Sequence, residues 1–146
     1  MSTPTFPELS QRLGKLDPNA KARWGKMNLA QMLVHCRIPM ETGLGLREVE
    51  KPSANFATRW LVFPLLMKLP WPKGKAQTHP EFNVVKADLP VRSVAEEASD
   101  LAEKMKTFME GKFEPRTHAI FGKLSLGQWT DLQRKHLDHH FRQFGI

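Results

Sequence analysis

At 146 residues, with 40% hydrophobic and 25% charged side chains, the chain has the size and balance of one self-sufficient domain spanning 1–146, which excludes a low-complexity or disordered polymer. Its single cysteine, Cys36, excludes an internal disulfide and a thiolate-rich zinc site, so a metal would have to be held by nitrogen or oxygen. The formal charge of +7 is concentrated mid-chain: Lys51 to Arg92 carries seven basic residues against Glu81 and Asp88, whereas eight basic residues from Ser93 onward meet eight acidic ones.

The predicted elements are helical. Leu9, Leu13 and Leu16 mark a first helix over about 7–16, closed by Asp17-Pro18-Asn19. Asn28 with Gln31 makes a capping box, and Leu29, Met32, Leu33, Cys36, Met40 and Leu44 extend a second helix over about 28–44. Pro39 inside it removes the amide that would bond the His35 carbonyl, so a kink is expected there. A third helix is expected over about 54–69, kinked at Pro64 and closed by Pro70, Pro72 and Gly74. Its apolar surface, with Trp60, Phe63, Leu66 and Met67, exceeds one amphipathic stripe. The favoured expectation is cover by the long Pro-rich connection of 70–92, and a homodimer is the other outlet.

Ser93 with Glu96 caps a fourth helix over about 93–111, whose stripe is Val94, Ala98, Leu101, Met105, Phe108 and Met109. Ser125 with Gln128 repeats the box and opens a fifth, with Trp129, Leu132, His136, Leu137, His140 and Phe144 at three- and four-residue spacing. No stretch alternates long enough to claim a strand. The fold class is therefore all-α, an up-and-down bundle of four main helices.

The last helix carries the chemistry. At 100° per residue His140 lies about 40° round from His136, one turn along, and Trp129, Leu132 and Gln143 fall within about 40° of the same direction. Asp138 and Arg134 face away, so the histidine pair points inward. Buried imidazoles need a partner for each ring nitrogen, and either a metal ion or ordinary carbonyl and water contacts would serve. A third ligand would have to come from elsewhere. His35, beside Pro39, is the remaining histidine on a predicted helix, while His79 and His118 lie in predicted loops and are expected to be solvated. Cys36 is read as a buried, inert thiol.

The segments Gln31-Met32-Leu33-Val34-His35 and His136-Leu137-Asp138-His139-His140-Phe141-Arg142-Gln143 resemble the DinB-like (DinB/YfiT) superfamily of metal-binding four-helix bundles. Arg23-Trp24-Gly25-Lys26-Met27, His118-x-x-Phe121-Gly122 and the C-terminal motif are similar to a bacterial branch of unknown function, over residues 8 to 146. Ala119 departs from that branch, in which proline usually follows the histidine, and this bears on the loop's shape. The resemblance implies a divalent ion, zinc or nickel, on His35, His136 and His140. It also implies a metal-dependent transferase that joins a low-molecular-weight thiol to a small electrophile, a small molecule being the expected partner.

No carboxylate is placed as a general base. His139, or Gln143 through a water, is the candidate beside the ligands, the other roles being a flanking surface imidazole and a helix-end amide. Trp129, Phe121 and Leu132 either wall the pocket or pack the core, and the motif residue His118 is placed near it. Two other classes stand beside the enzyme: a non-catalytic, stress-related metal-binding bundle, and a nucleic-acid or acidic-partner module using the basic middle. The second is disfavoured, because Lys68, Lys73 and Lys75 sit among prolines and the chain has no tyrosine for base stacking. Residues 1–10 have neither a basic start nor an apolar stretch, and the run from Trp60 to Met67 is far below the roughly 18 residues of a spanning helix. A soluble, cytoplasmic protein with no membrane partner is expected.

Overall fold

The computed structural model describes residues 2–74 and 79–146, so Lys75, in the basic stretch, lies outside the described residues. The chain is all-helical: α1 (Phe6–Gly14), α2 (Leu29–Leu44), α3 (Phe63–Lys68), α4 (Val94–Glu110) and α5 (Leu126–Gln143). Among the described residues there is no strand, only one isolated bridge pairing His118 with Gly122. None of the described helices is long and apolar enough to cross a membrane.

Local chemistry sets the helix ends. Thr5, Asn28, Ser93 and Ser125 each cap an amide three residues on, and Glu8, Gln31, Glu96 and Gln128 return the bond to the cap residue's own amide. α2 runs unbroken through Pro39 and closes on Gly45. The segment before α3 is a π-helical turn, Thr58–Val62. Pro64 has no amide to offer the Trp60 carbonyl, and the Phe63 amide bonds back five residues to Thr58.

α1 and α2 each pack against both α4 and α5. The core between them holds Leu9, Met32, Met40, Leu101, Met105, Phe108 and Trp129. Gly43 admits the close approach of α5, since a Cβ there would lie 3.1 Å from the Trp129 ring and 3.2 Å from Phe108. α2 is buried on nearly all sides, so its charges are paired. Arg37 bonds Glu41, and its Nε and a terminal nitrogen donate to Glu97 at 3.2 and 3.0 Å. Glu97 is fully buried and accepts from Arg92 as well. Removing one member would strand a buried charge, which is what makes such pairs costly to break.

Contrary to the favoured expectation, the described residues of the connection after α3 leave most of that helix's outer face uncovered, touching it through Trp71, whose indole N–H donates to the Leu66 carbonyl at 2.9 Å. A short 3-10 turn, Pro80–Phe82, docks instead on α2, where Phe82 and Val84 pack with Val34, Ile38 and Ala119. Phe56, Trp60, Leu61, Leu65 and Leu69 are left more than half exposed. α3 is held through its other side: Phe63 meets Phe121 at 5.2 Å between ring centres, and Lys135 of α5 donates to the Leu66, Met67 and Leu69 carbonyls at 2.5, 3.0 and 2.6 Å. These bonds occupy the carbonyls that α3's C-terminus leaves without helical partners.

Trp129 is fully buried and donates its indole N–H to the Arg116 carbonyl at 3.0 Å. Trp129→Ala is expected to cost about 3–5 kcal/mol of unfolding free energy. Urea denaturation with and without chelator should give the same loss. A loss confined to metal-bearing protein would remove Trp129 from the core ledger and attach it to the site.

Candidate metal centre

α5 places His136 and His140 one turn apart, and α2 brings His35 against them. The three ring centroids form a nearly equilateral triangle: 4.9 Å from His35 to His136, 4.6 Å from His35 to His140 and 4.8 Å from His136 to His140. The ring planes cross at 69°, 78° and 89°, so the imidazoles meet edge to face around one point rather than stacking. One nitrogen from each lies within 4.8 Å of the others.

The outer hydrogen bonds fix which nitrogens face inward. His35 Nδ1 lies 3.0 Å from the Phe82 carbonyl, which can only accept, so Nδ1 carries the proton and the neutral ring leaves its Nε2 lone pair free. Gln143 spends its amide N–H on the Trp24 carbonyl at 2.7 Å, which turns its Oε1 toward His140 Nδ1 at 2.8 Å. His140 therefore also donates from Nδ1 and presents Nε2. His136 Nε2 sits 3.0 Å from His35 Nε2, so without an ion one shared proton must lie between them. That spacing is close to the edge of about 3.3 Å joining two nitrogens of a tetrahedral zinc site. The donor set fits a divalent ion in place of the proton.

Burial is the largest cause holding all three imidazoles below the ordinary histidine range; further positive charges on neighbouring rings would lower His136 and His140 more. The trio is thus neutral, and able to ligate, at pH 7. Gly25 supports the arrangement. Its φ of +81° belongs to the left-handed region, and a Cβ there would come within 2.7 Å of Gln143 Nε2.

The trio opens onto a cavity of about 450 Å³ with apolar walls from Met27, Leu66, Trp71, Phe121 and Leu132. No Asp or Glu of the described residues lines it. Asp138 is turned away and held by Arg12 and Arg142, as the helical phase predicts. His139 flanks the trio as expected, with its ring 5.7 Å from Trp24 and 5.6 Å from Trp71. Trp129 is not on the cavity wall; it stands behind His118, 4.8 Å from that ring. Cys36 is buried and bonds Met32 Sδ at 3.6 Å, and burial pushes its thiol pKa up.

The two loop histidines are not solvated. His79 is buried, its Nε2 donating to the Lys51 carbonyl at 3.0 Å and its Nδ1 accepting the Glu81 amide at 3.3 Å. His118 is buried too, stacked on Phe121, with Nδ1 accepting the Ile120 and Phe121 amides at 3.0 and 3.2 Å. Each imidazole organises its own turn from inside. Both line the cavity, as does Gln133, a buried residue that pattern reading passed over although it sits one turn before His136.

Residues 4–145 match the family described as Protein of unknown function (DUF1569), and the chain belongs to that family. No curated protein and no solved structure matches it.

His118 supplies a pH test. Burial lowers its pKa from 6.5 to about 4, so between those values the unfolded chain takes up a proton that the folded chain refuses. The stabilisation is complete above about pH 6.5 and drains as pH falls, by about 3 kcal/mol in all. Urea denaturation of chelated protein from pH 7.5 to 4.5 should show this decline, and His118→Asn, which keeps an acceptor but does not titrate, should flatten part of it. An unchanged slope in the variant would contradict a neutral, buried His118.

Proposed function

We propose that the protein is a divalent-metal-binding member of the DinB-like architecture, with α1, α2, α4 and α5 as a four-helix bundle. In this reading His35, His136 and His140 hold zinc or nickel for transfer of a small thiol onto a small electrophile. The observation that carries the reading is the convergence of three imidazoles, two of them locked by Phe82 and Gln143 with Nε2 facing the common point. Three nitrogens from the protein suit a catalytic site more than a closed structural one. A divalent ion bound there would supply a Lewis-acid centre that lowers the pKa of a thiol or a water toward neutrality.

The chain favours an anion in the cavity. Its walls offer no carboxylate to offset a dication, so a thiolate is the complement that charge balance calls for. The protein brings no sulfur nucleophile of its own, because Cys36 is sealed in the core. In the transfer, the thiol gives up its proton and its sulfur pair forms the new carbon–sulfur bond. The pair of the broken bond departs with the displaced group of a halide, or stays on an epoxide oxygen or the carbon of an unsaturated acid, which then takes up the proton. Apolar side chains from Met27 to Leu132 receive the electrophile's carbon skeleton and keep water from competing. His139 is the imidazole suited to relaying the proton: the lone pairs of His79 and His118 are committed to backbone amides.

Elemental analysis of untagged protein is expected to find about one zinc or nickel per chain, from the coordination chemistry of a three-histidine set. His35→Ala, His136→Ala and His140→Ala should each lose it. Gln143→Leu should weaken metal affinity by about 10- to 100-fold while the fold persists. Metal-loaded protein should consume low-molecular-weight thiols with one of a panel of alkyl halides, epoxides and unsaturated acids. Stoichiometric metal with no turnover across zinc, nickel, manganese and iron would overturn the transferase and leave a non-catalytic metal-binding protein.

A further inference from the structure

The outer face of the segment 56–69 combines large apolar side chains with cations that have no acidic partner. Phe56, Trp60, Leu61, Leu65 and Leu69 are between 54% and 77% exposed. The helical run from Phe56 to Lys68, with Leu69 directly after it, brings one of them outward on each turn. The steps from Phe56 to Trp60 and from Leu65 to Leu69 are four residues; the five-residue step between Trp60 and Leu65 crosses the π-helical turn, whose backbone bond also spans five. Phe56 and Trp60 stand side by side, 6.4 Å between ring centres. On the inner side Phe63 is buried against the bundle, so the row projects from a fixed base.

Arg59 and Lys68 lie within this run and Lys73 five residues beyond it, and none of the three forms an ion pair among the described residues. Arg59 lies over the Trp60 ring at 4.5 Å and donates to the Lys123 carbonyl at 3.2 Å. From Lys51 to Pro80 the sequence has no Asp or Glu. The complement of this face is therefore apolar against the row and anionic at its edges. A second copy docked here by two-fold symmetry would bring the same cations together with no carboxylate in the segment to answer them. Side chains exposed by more than half project outward and do not line a groove, so the face lacks the trough in which a partner helix would lie. A bilayer interface with anionic lipid meets both demands: the acyl boundary takes Trp, Phe and Leu, and the headgroup phosphates take Arg and Lys.

We propose that the segment 56–69 is a membrane-surface anchor that lies in the interface of an anionic bilayer, with Phe56, Trp60, Leu61, Leu65 and Leu69 in the acyl boundary and Arg59, Lys68 and Lys73 at the headgroups. The expectation of no membrane partner turned on the length of the apolar run, which bears on crossing a bilayer and not on lying in its surface. The anchor is independent of the metal centre, and chelated and metal-loaded protein should bind vesicles alike.

Flotation of the intact chain with vesicles of phosphatidylcholine, alone or with about 30% phosphatidylglycerol, tests it. The protein should bind the anionic vesicles at least about tenfold more tightly than the neutral ones, and less tightly as salt is raised. Leu61→Gln combined with Leu65→Gln leaves the formal charge at +7 and, because both side chains are exposed, should leave the melting temperature unchanged. It should weaken vesicle binding by about tenfold or more. Brominated acyl chains should quench tryptophan emission, and Trp60→Phe should still bind while losing most of that quenching. Equal binding to neutral vesicles would overturn the anchor. Anionic binding untouched by the double substitution would overturn it too, leaving only a general attraction of a basic protein to negative charge. No flotation would also sink it: a dimer dissolved by the double substitution would then assign the face to a second copy, and capture of a polyglutamate peptide would assign it to an acidic protein.

Discussion

Desolvation of three facing imidazoles is the constraint from which the rest of the site follows. In water each ring would protonate near its ordinary value and repel its neighbours; under α2, α5 and the Phe82 turn, the charged forms are disfavoured and the rings stay neutral. Neutrality alone does not aim a lone pair. The carbonyl of Phe82 and the amide of Gln143 do that, and Gln143 is itself set by the Trp24 carbonyl. Segments more than a hundred residues apart in sequence therefore share one hydrogen-bonded chain that ends on the cavity.

The parts of this arrangement that the sequence discloses are the local ones. Capping boxes at Asn28, Ser93 and Ser125 mark helix starts because the reciprocal bonds lie within four residues. The phase of α5 puts His136 and His140 inward and Asp138 outward for the same reason. His35 could be singled out by its helix and by family resemblance, but its distance to the pair is set by packing. The burial of His79 and His118 is not legible in the sequence, because a loop's burial depends on where it docks and their partners are backbone groups that carry no side-chain signature. The same holds for α3. Whether 79–89 would cover it or settle on Val34 and Ile38 is decided by complementarity between surfaces, and no periodicity reports it.

α2 carries polar groups on two faces and keeps them apart. His35 meets α5, whereas Arg37, two residues on, points to Glu97 and Asp100 of α4. The acidic groups that α2 and α4 bury are thereby committed to guanidinium partners away from the cavity. A carboxylate nearer the trio would raise the pKa of the imidazoles and compete for a cation. Its absence from the wall leaves nitrogen chemistry undisturbed.

Lys135 gives the cavity a mechanical character of its own. The residue immediately before His136 spends its ammonium on three carbonyls at the end of α3, and α3 contributes Leu66 to the wall. Swinging that wall aside would strip three oxygens and a half-buried cation of their partners in a single movement, and it would tug on the helix that bears two of the three rings. Rotation of individual side chains such as Val62 and Leu66 breaks none of these bonds. Small side-chain rearrangements of the wall are accordingly cheaper than departure of the whole segment, and they leave the histidine geometry undisturbed.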